Sequence, residues 1–351
     1  MVKKALLFAL ALIAAGCSMP APTGPVGSSS VAVSTLAGQA GTIGSVNGTG
    51  TGAAFWSPAG MVYMAPYIYI ADSGNSTIRR LDPTNGAVTV LAGVAGAAGY
   101  FDNASHPTLA AFFNHPEAIT SDGTNLYVAD SGNNVIRMVT PAGLVSTLAG
   151  NASGLYGFLN GTGGGAAFNN PLGICYNSGN LYVADTGNSA IRAVVAGTGA
   201  VTTLAGAPTS STFYWPEDIT FMGSDLYVVD AGYSAVFQVT TGGAVTVLAG
   251  TGAKGDVDGS AGAAQFDWPE GITTDGSALY VADTLNSVVR KISAGTVSTL
   301  AGQGLVFGSA NGAGNAALFN HPMKLLWVTA NPPGPGLLVA DTYNETIRLV
   351  K

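Results

Sequence analysis

The chain has 351 residues, of which 47% are hydrophobic and 9% are charged, and its formal net charge is −7. This acidic balance disfavours a nucleic-acid partner, because neutralising phosphates requires a basic surface. The 50 glycines and 17 prolines predict many turns and few helices. The apolar content is sufficient for a large buried core.

The N-terminus has the pattern of a secretory signal. Lys3 and Lys4 precede an apolar run from Ala5 to Ala15, which is too short to span a bilayer. The run ends in IAAGC, which resembles the lipobox of bacterial lipoproteins, where cleavage leaves a lipid-modified cysteine as the first residue. This resemblance implies a signal over residues 1–17 and lipidation at Cys17. Cleavage to a free soluble form is the alternative.

The segment after this cysteine is expected to be a tether. Residues 18–30 are rich in Pro, Ser and Gly, which favours a flexible chain. Attachment of two or three acyl chains anchors a protein stably in a membrane. By the sorting rule of lipoproteins, Ser18 favours the outer membrane if the host has one. Cys175 is the other cysteine of the chain, and its apolar surroundings predict a small core residue.

Six copies of one pattern make up the sequence after residue 30. The LYVAD-type half of the pattern begins at Tyr67, Leu126, Leu181, Leu226, Leu279 and Leu337. A Phe three residues before a Pro precedes each copy, and runs such as VSTLAG separate the repeats. Short runs rich in Val, Ile, Tyr and Thr between turn residues predict strands. Each repeat therefore predicts one four-stranded blade with strands A to D.

The first and last parts of this pattern are incomplete in complementary ways. Val31–Gly38 matches a strand D with no strands A to C before it, whereas the last repeat ends at Lys351, directly after strand C. We therefore predict that the N-terminal strand completes the last blade, which also removes two open sheet edges. The predicted fold class is all-β, a closed six-bladed β-propeller over residues 31–351.

The repeats resemble NHL repeats, whose pattern is roughly F-x-x-P-x-G-[IV] followed by LYVADTGN-x-x-[IV]-R. The run LYVADTGNSAIR at Leu181 carries this resemblance most clearly. The resemblance implies a propeller fold. It leaves the function open, because NHL propellers include lyases, binding platforms and sensor domains.

An Asp begins the turn between strands B and C in every repeat: Asp72, Asp130, Asp185, Asp230, Asp283 and Asp341. Short Asx side chains bond nearby backbone N–H groups, so the D-[ST]-G-N run is typical of a turn. Five repeats add an Arg seven residues later, whereas the fourth has Tyr233 for the Asn and Phe237 for the Arg. We predict a structural network of Asp, Asn and Arg; a ring of ligand contacts is the alternative.

The loop before the fourth strand A is short, spanning seven positions from Gly206 to Phe213. In a propeller the D–A loops and B–C turns share one face around the channel mouth, so this loop should leave a notch in the rim. The aromatic residues expected in and beside the notch are Tyr214, Trp215, Tyr233 and Trp268. Amphipathic rings in a recess suit sugars or peptides. Packing of both Trp side chains under the loops is the alternative.

Three glutamates share the position after the Pro of strand A: Glu117, Glu217 and Glu270. This position begins the innermost strand, so the three carboxylates are expected to face the channel mouth. Gathered carboxylates can hold a cation or supply an acid/base pair. A solvated rim is the alternative interpretation.

Histidines are the residues on which a catalytic interpretation depends. NHL lyases, by the resemblance, use a metal site built from several histidines that face the channel. This chain offers His115 and His321, both directly before a strand A Pro, and His106 in a D–A loop. A zinc site needs three or four converging ligands. We therefore predict no metal and no cofactor, and a metal-dependent lyase or hydrolase at the channel mouth remains the alternative.

The predicted function is that of a lipid-anchored module of the bacterial cell envelope. Its partner would be a protein or a glycan bound through the D–A loop face, with no catalytic residue assigned. The alternative enzyme would act at the channel mouth, and a purely structural spacer is a third hypothesis.

Overall fold

The computed structural model describes residues 31–151, 153–329 and 333–351. The predicted signal, the lipidation site Cys17 and the tether lie outside these residues. Six antiparallel sheets form the molecule, and the first strands of neighbouring sheets contact each other in a ring. The fold is the predicted all-β, six-bladed propeller. Over the described ranges, no helix has both the length and the apolar character needed to cross a membrane.

Each blade contains strands A to D, with strand A innermost. The A strands are Pro58–Met64, Pro116–Ser121, Pro171–Asn177, Pro216–Met222, Pro269–Thr274 and Pro322–Val328. The B strands are Tyr67–Asp72, Leu126–Asp130, Asn180–Asp185, Asp225–Asp230, Leu279–Asp283 and Gly336–Asp341. The C strands are Thr77–Leu81, Val135–Val139, Ala190–Val195, Ala235–Thr240, Val288–Ser293 and Thr346–Val350. The D strands of blades one to five are Ala87–Gly93, Val145–Ala149, Ala200–Gly206, Val245–Ala249 and Thr296–Ala301.

The N-terminal strand Ala32–Ala37 is strand D of blade six, as the repeat pattern predicts. It pairs antiparallel with strand C, with Val33 opposite Val350 and Ser34 opposite Leu349, and a bulge follows Thr35. The two ends of the described chain are thus held in one sheet. This ladder between the first and the last strand completes blade six and closes the ring.

The D–A loops add short segments to the outside of four blades. Two-residue strands pair with strand D of blades one, three, five and six: Gly48–Thr49, Gly161–Thr162, Gly259–Ser260 and Gly312–Ala313. One-turn 3-10 helices occupy four B–C turns and three D–A loops: Ser73–Asn75, Ser131–Asn133, Thr186–Asn188 and Thr342–Asn344, then Gly50–Gly52, Gly163–Gly165 and Gly314–Ala316. Blades one, three, five and six consequently have five strands.

The Asp, Asn and Arg of five B–C turns form a buried hydrogen-bonded network. In blade one, Asp72 Oδ1 accepts the backbone N–H of Trp56, and Asp72 Oδ2 accepts from Asn75 and Arg79. Five blades share this ion pair, with N–O distances of 2.6 to 2.8 Å. The guanidinium also lies 5.1 to 5.3 Å from the centre of the repeated Phe ring. Because Arg79 donates to the carbonyl of Ala54, the network fixes the D–A loop to the turn.

Blade four replaces this network with aromatic packing. Asp230 accepts the backbone N–H groups of Tyr214, Trp215 and Tyr233. Phe237 stands where the other blades have Arg, and its ring packs edge-on against Phe213 at 5.6 Å. The joint loss of Asn and Arg in this repeat is therefore compensated by apolar contacts rather than by another ion pair.

Side-chain hydrogen bonds join each blade to the next. Thr186 Oγ1 donates to the carbonyl of Pro216, and Thr284 Oγ1 donates to that of Pro322. Across the closure, Thr342 Oγ1 donates to the carbonyl of Pro58 at 2.9 Å. Where a hydroxyl follows the turn Asp, it therefore bonds to the start of the neighbouring strand A, as Ser73 does to Glu117. Blade four has Ala231 at this position, so the strand A that carries Glu270 lacks this bond.

We predict that Ser34→Pro lowers the free energy of unfolding by about 3 kcal/mol, because proline removes a ladder donor and its ring obstructs the pairing. The N–H of Ser34 faces strand C, since the N–H and carbonyl of Ala32 bond to Lys351 on that side. Denaturant unfolding of both proteins measures the difference. The matched control is Ser34→Ala, which keeps the N–H and should change the free energy by less than about 0.5 kcal/mol. Equal effects of the two substitutions would contradict closure by this strand.

Candidate functional site

A cavity of about 420 Å³ opens on the D–A loop face between blades five and six. The residues that shape it are Trp268, Glu270, Leu285, His321, Met323 and Tyr343. Its volume lies within the range of small-ligand sites, about 300 to 1,000 Å³. Lys254 and Thr284 also line it, and Lys254 Nζ lies 5.6 Å from the centre of the Trp268 ring. The cavity therefore combines aromatic walls with one acidic and one basic side chain.

Two exceptional turn residues help to build this cavity. The third position of the D-[ST]-G-N turn is Gly in blades one to four, whereas it is Leu285 in blade five and Tyr343 in blade six. A Cβ added to Gly74 would lie 2.5 Å from the ring of Trp56, and one added to Gly232 would lie 2.3 Å from the ring of Tyr214. Large side chains are therefore excluded from those turns, and the two that occur reach the cavity.

Stacked rings form the blade six wall of the cavity. The His321 ring lies nearly parallel to that of Phe307 at 5.3 Å and stacks on Tyr343 at 4.3 Å. Burial lowers the pKa of His321, which favours the neutral imidazole. His321 consequently acts here as a flat, uncharged aromatic surface.

The four aromatic residues predicted at the notch come together. Rings follow one another at 6.1 to 6.3 Å from Tyr233 to Tyr214, Trp215 and Trp268. Tyr214 and Trp215 are 59% and 39% exposed, so their rings are not covered by the loops. Because Trp268 also lines the cavity, the notch and the cavity share one aromatic surface.

The three predicted glutamates flank the channel mouth but occupy different environments. Glu270 lines the 420 Å³ cavity. Glu117 accepts a hydrogen bond from Ser73 at 2.7 Å and lines a second cavity of about 220 Å³, which shares Met323 and Tyr343 with the first. Glu217 is only 6% exposed. Glu270 and Glu117 therefore line the two recesses, whereas Glu217 is buried.

A buried lysine, which the sequence analysis did not single out, crosses this region. Lys324 Nζ donates to the backbone carbonyls of Glu217 and Glu270 at 2.9 Å and lies 3.7 Å from Asp218 Oδ1. Both Lys324 and Asp218 occupy the second position after the strand A Pro, where the other blades have Gly or Ala. Two opposite charges at a position otherwise reserved for small residues were the signal that could have revealed this pair.

Burial raises the pKa of the glutamates around Lys324. The pKa of Glu270 rises to about 7, mainly because its carboxyl is removed from water. Burial likewise raises the pKa of Glu217 well above its usual value, and the nearby Glu270 raises it further. Burial also raises the pKa of Glu117. Near neutral pH the Glu270 carboxyl can therefore both donate and accept hydrogen bonds.

The histidines occupy separate positions on the loop face. His106 lies in the blade two loop, with its ring 6.2 Å from that of Phe101. His115 is exposed and lines the 220 Å³ cavity, whereas His321 belongs to the stacked wall. No group of three or more His, Cys, Asp or Glu side chains in the described part of the chain has an arrangement that could hold a metal ion.

We predict that Glu270→Gln makes stability less dependent on pH between pH 5 and pH 8. The unfolded glutamate ionises near 4.5 and the folded one near 7, so the wild type loses stability as pH rises through this interval. The lost contribution is about 3 kcal/mol at most. Denaturant titrations at several pH values measure the slope, which should be shallower in the variant.

The control for this prediction is Asp82→Asn. Hydrogen bonds from Thr84 lower the pKa of this exposed carboxyl, so it does not titrate between pH 5 and pH 8. The control should keep the wild-type slope. An unchanged slope in Glu270→Gln would contradict the burial assigned to this carboxyl.

Comparison with known proteins identifies one of the sequence repeats. Residues 168–193 match the NHL repeat model. NHL repeat-containing protein 2 from Gallus gallus is 28% identical over 283 residues, which cover 67% of this chain and 38% of that protein. The curated relatives that match most of this chain are much longer proteins. The chain spans only 26% and 38% of the length of two of them.

Solved structures share the overall architecture at low sequence identity. A structural-genomics protein of unknown function from Bacteroides thetaiotaomicron has a TM-score of 0.71 and 20% identity, with 92% of this chain and 76% of that chain covered. An auxiliary nutrient binding protein from the same organism has a TM-score of 0.70 and 17% identity, with the same coverage. The chain thus carries an NHL repeat and folds as a six-bladed β-propeller.

Proposed function

We propose that this protein is a binding module that binds a carbohydrate through its D–A loop face. The observation that carries this proposal is the cavity of about 420 Å³ between blades five and six, with Trp268 on one side, His321 and Tyr343 on the other, and Glu270 between them. Aromatic walls with a few polar groups are typical of small-molecule sites. We infer reversible binding as the role of this site.

The aromatic surface suits a ligand that alternates apolar and polar faces. Sugar rings present C–H groups on a face and hydroxyls on their edges, so they pack on indole and phenol rings while keeping their hydrogen bonds. The surface continues from Trp268 through Trp215 to Tyr214, beyond the edge of the cavity. We therefore infer that the ligand is a chain of several sugars rather than one.

The acidic groups suit the hydroxyls of such a ligand. The Trp268 side chain provides a hydrogen bond to the Glu270 carboxyl that lowers its pKa. Glu270 Oε2 is buried and has no hydrogen-bond partner among the described residues. An unpaired buried carboxyl oxygen is costly, so a ligand hydroxyl that reached it would satisfy a group that the protein leaves open. A solved propeller of similar shape is named an auxiliary nutrient binding protein, which supports a binding role but identifies no ligand.

We predict that Trp268→Ala weakens carbohydrate binding about tenfold, the factor that corresponds to 1.4 kcal/mol. The reason is that the substitution removes the ring shared by the cavity and the notch. A glycan array with the full chain identifies the ligand, and calorimetry on the purified glycan measures the affinity of each variant. Binding should be the same with and without a metal chelator.

The matched control is Tyr156→Ala, which removes a 71% exposed ring from the blade three loop, away from the two cavities. This variant should bind as the wild type does. The proposal fails if no glycan binds, or if Trp268→Ala and Tyr156→Ala bind equally well. Binding lost on chelation would instead favour metal-dependent chemistry at the channel mouth.

We further propose that a lipid on Cys17 holds the propeller at the bacterial cell envelope. This proposal rests on the IAAGC pattern and on the Pro- and Ser-rich residues 18–30. Stable anchoring requires more than one acyl chain, which the lipoprotein modification supplies.

Expression in a bacterial host with a clickable fatty acid tests the anchor. The full chain should incorporate the label and sediment with membranes, because acyl chains partition into the bilayer. Cys17→Ser should lose the label and leave the membrane fraction, whereas Cys175→Ser should keep both properties. Labelling that persists in Cys17→Ser would refute lipidation at this residue.

A further inference from the structure

Strand D of blade four is uncovered on its outer side. The other outer strands are covered in two ways. Two-residue strands pair with those of blades one, three, five and six. In blade two, Asn103 Oδ1 accepts from the N–H of Val145, and Asp102 Oδ2 accepts from that of Thr147. Among the described residues, no strand or loop side chain bonds in this way to Val245–Ala249, and the short loop from Gly206 to Phe213 contributes no additional strand.

The uncovered strand has a covered copy elsewhere in the same molecule. Residues 86–93 and 243–250 both read GAVTVLAG. In blade one, Gly48 pairs with Val88 on the outside of this sequence, and Val88 is buried. In blade four the equivalent Val245 is half-buried, and Val247 is 60% exposed against 37% for Val90. The same eight residues therefore accept an additional strand in one blade and lack it in the other.

The backbone groups that face outward are known from the equivalent strands. Thr147 and Thr299 occupy the position of Val247 in blades two and five. Each donates its backbone N–H to an Asp carboxylate of the D–A loop that precedes strand A of the same blade, at 3.0 and 2.9 Å. The N–H and the carbonyl of Val145, which is equivalent to Val245, also bond to Asn103 of that loop. In blade four the N–H of Val247 and both the N–H and the carbonyl of Val245 therefore face outward. An open edge of this kind is a template for another strand, and no charged side chain blocks it between Gly243 and Gly250.

A pocket beside this edge marks where an incoming side chain would lie. In blade three, Asn160 accepts from Arg192 and contacts Thr203 of strand D. Blade four has Phe237 in place of the Arg and Val247 in place of the Thr, and the corresponding loop segment is missing. A cavity of about 270 Å³ remains there, lined by Tyr233, Phe237 and Val247 among others. The polar contact of the other blades is thus replaced by an apolar recess.

We propose that the outer edge of blade four binds an extended peptide segment of a partner protein as a fifth strand. The segment lies antiparallel to Val245–Ala249, as Gly48–Thr49 lies against Ala87–Gly93. Its residue opposite Val245 is small, because Gly occupies that place in all four blades with a two-residue strand. The residue before it is large and apolar and fills the recess at Phe237. Backbone hydrogen bonds supply the affinity and the recess supplies the specificity.

The probe for this interaction is a synthetic peptide with the sequence of residues 44–53 in which Asn47 is replaced by Phe. It is titrated into the isotopically labelled full chain, and the amide resonances are followed by NMR. The amides of Val245, Thr246 and Val247 should shift and saturate. Those of the identical run Val88–Val90 should not shift, because their edge is already occupied.

Three variants separate strand addition from unspecific contact. A peptide methylated at the nitrogen of its Gly48 should bind at least tenfold more weakly, because it loses a ladder donor. Val247→Pro should weaken binding to the same extent, since its N–H faces outward and is not used within the blade. Phe237→Arg, which restores the residue of the other blades, should remove the preference for the Phe peptide over the unmodified Asn peptide.

The proposal is overturned if the peptide produces no saturable shifts at Val245–Val247, or if the methylated peptide binds as tightly as the parent. It is also overturned if sedimentation shows the full chain to be a dimer that Val247→Pro converts to a monomer. In that case a second copy, rather than a partner peptide, occupies the edge. Phe237→Arg keeps the test informative if Val247→Pro does not fold.

Discussion

The antiparallel ladder between Ala32–Ala37 and Thr346–Val350 is the contact on which the rest of the structure depends. A propeller blade buries its faces against two neighbours, so an open ring would expose two blade faces and two sheet edges. The ladder joins residues more than three hundred positions apart, and the hydrogen bond from Thr342 to the carbonyl of Pro58 reinforces the same seam. The rim with its cavities keeps its shape only while the ring is closed.

Most of the fold could be predicted from the sequence because it is repetitive. Six copies of one pattern gave the number of blades. The unmatched strand D at Val31–Gly38 and the last repeat, which ends after strand C, predicted the closure that the structure confirms. The joint loss of Asn and Arg in repeat four indicated that these residues act together. The structure shows the reason, since Asn and Arg bond to the same oxygen of the turn Asp in the other blades.

The binding surface was less predictable because it depends on departures from the repeat. Leu285 and Tyr343 replace a turn Gly, and Asp218 and Lys324 replace a small residue of strand A. Each of these substitutions is visible when the repeats are aligned, but the alignment does not show where the new side chain points. The notch aromatics were predicted at blade four, and the structure extends their surface to a cavity between blades five and six. This extension could not be predicted from any single repeat, because it depends on how neighbouring blades are placed around the ring.

The propeller thus has two different candidate binding surfaces. One is the cavity with aromatic walls on the loop face between blades five and six. The other is the strand edge on the outer side of blade four. Both rely on a closed ring. Amide hydrogen exchange of the native full chain tests that closure most directly, because it reports the opening of individual ladder bonds. We expect the amides of Ser34 and Leu349 to exchange as slowly as the inner amides of the other blades. Exchange of Ser34 at the rate of an unstructured peptide, with the remaining blades still protected, would contradict it.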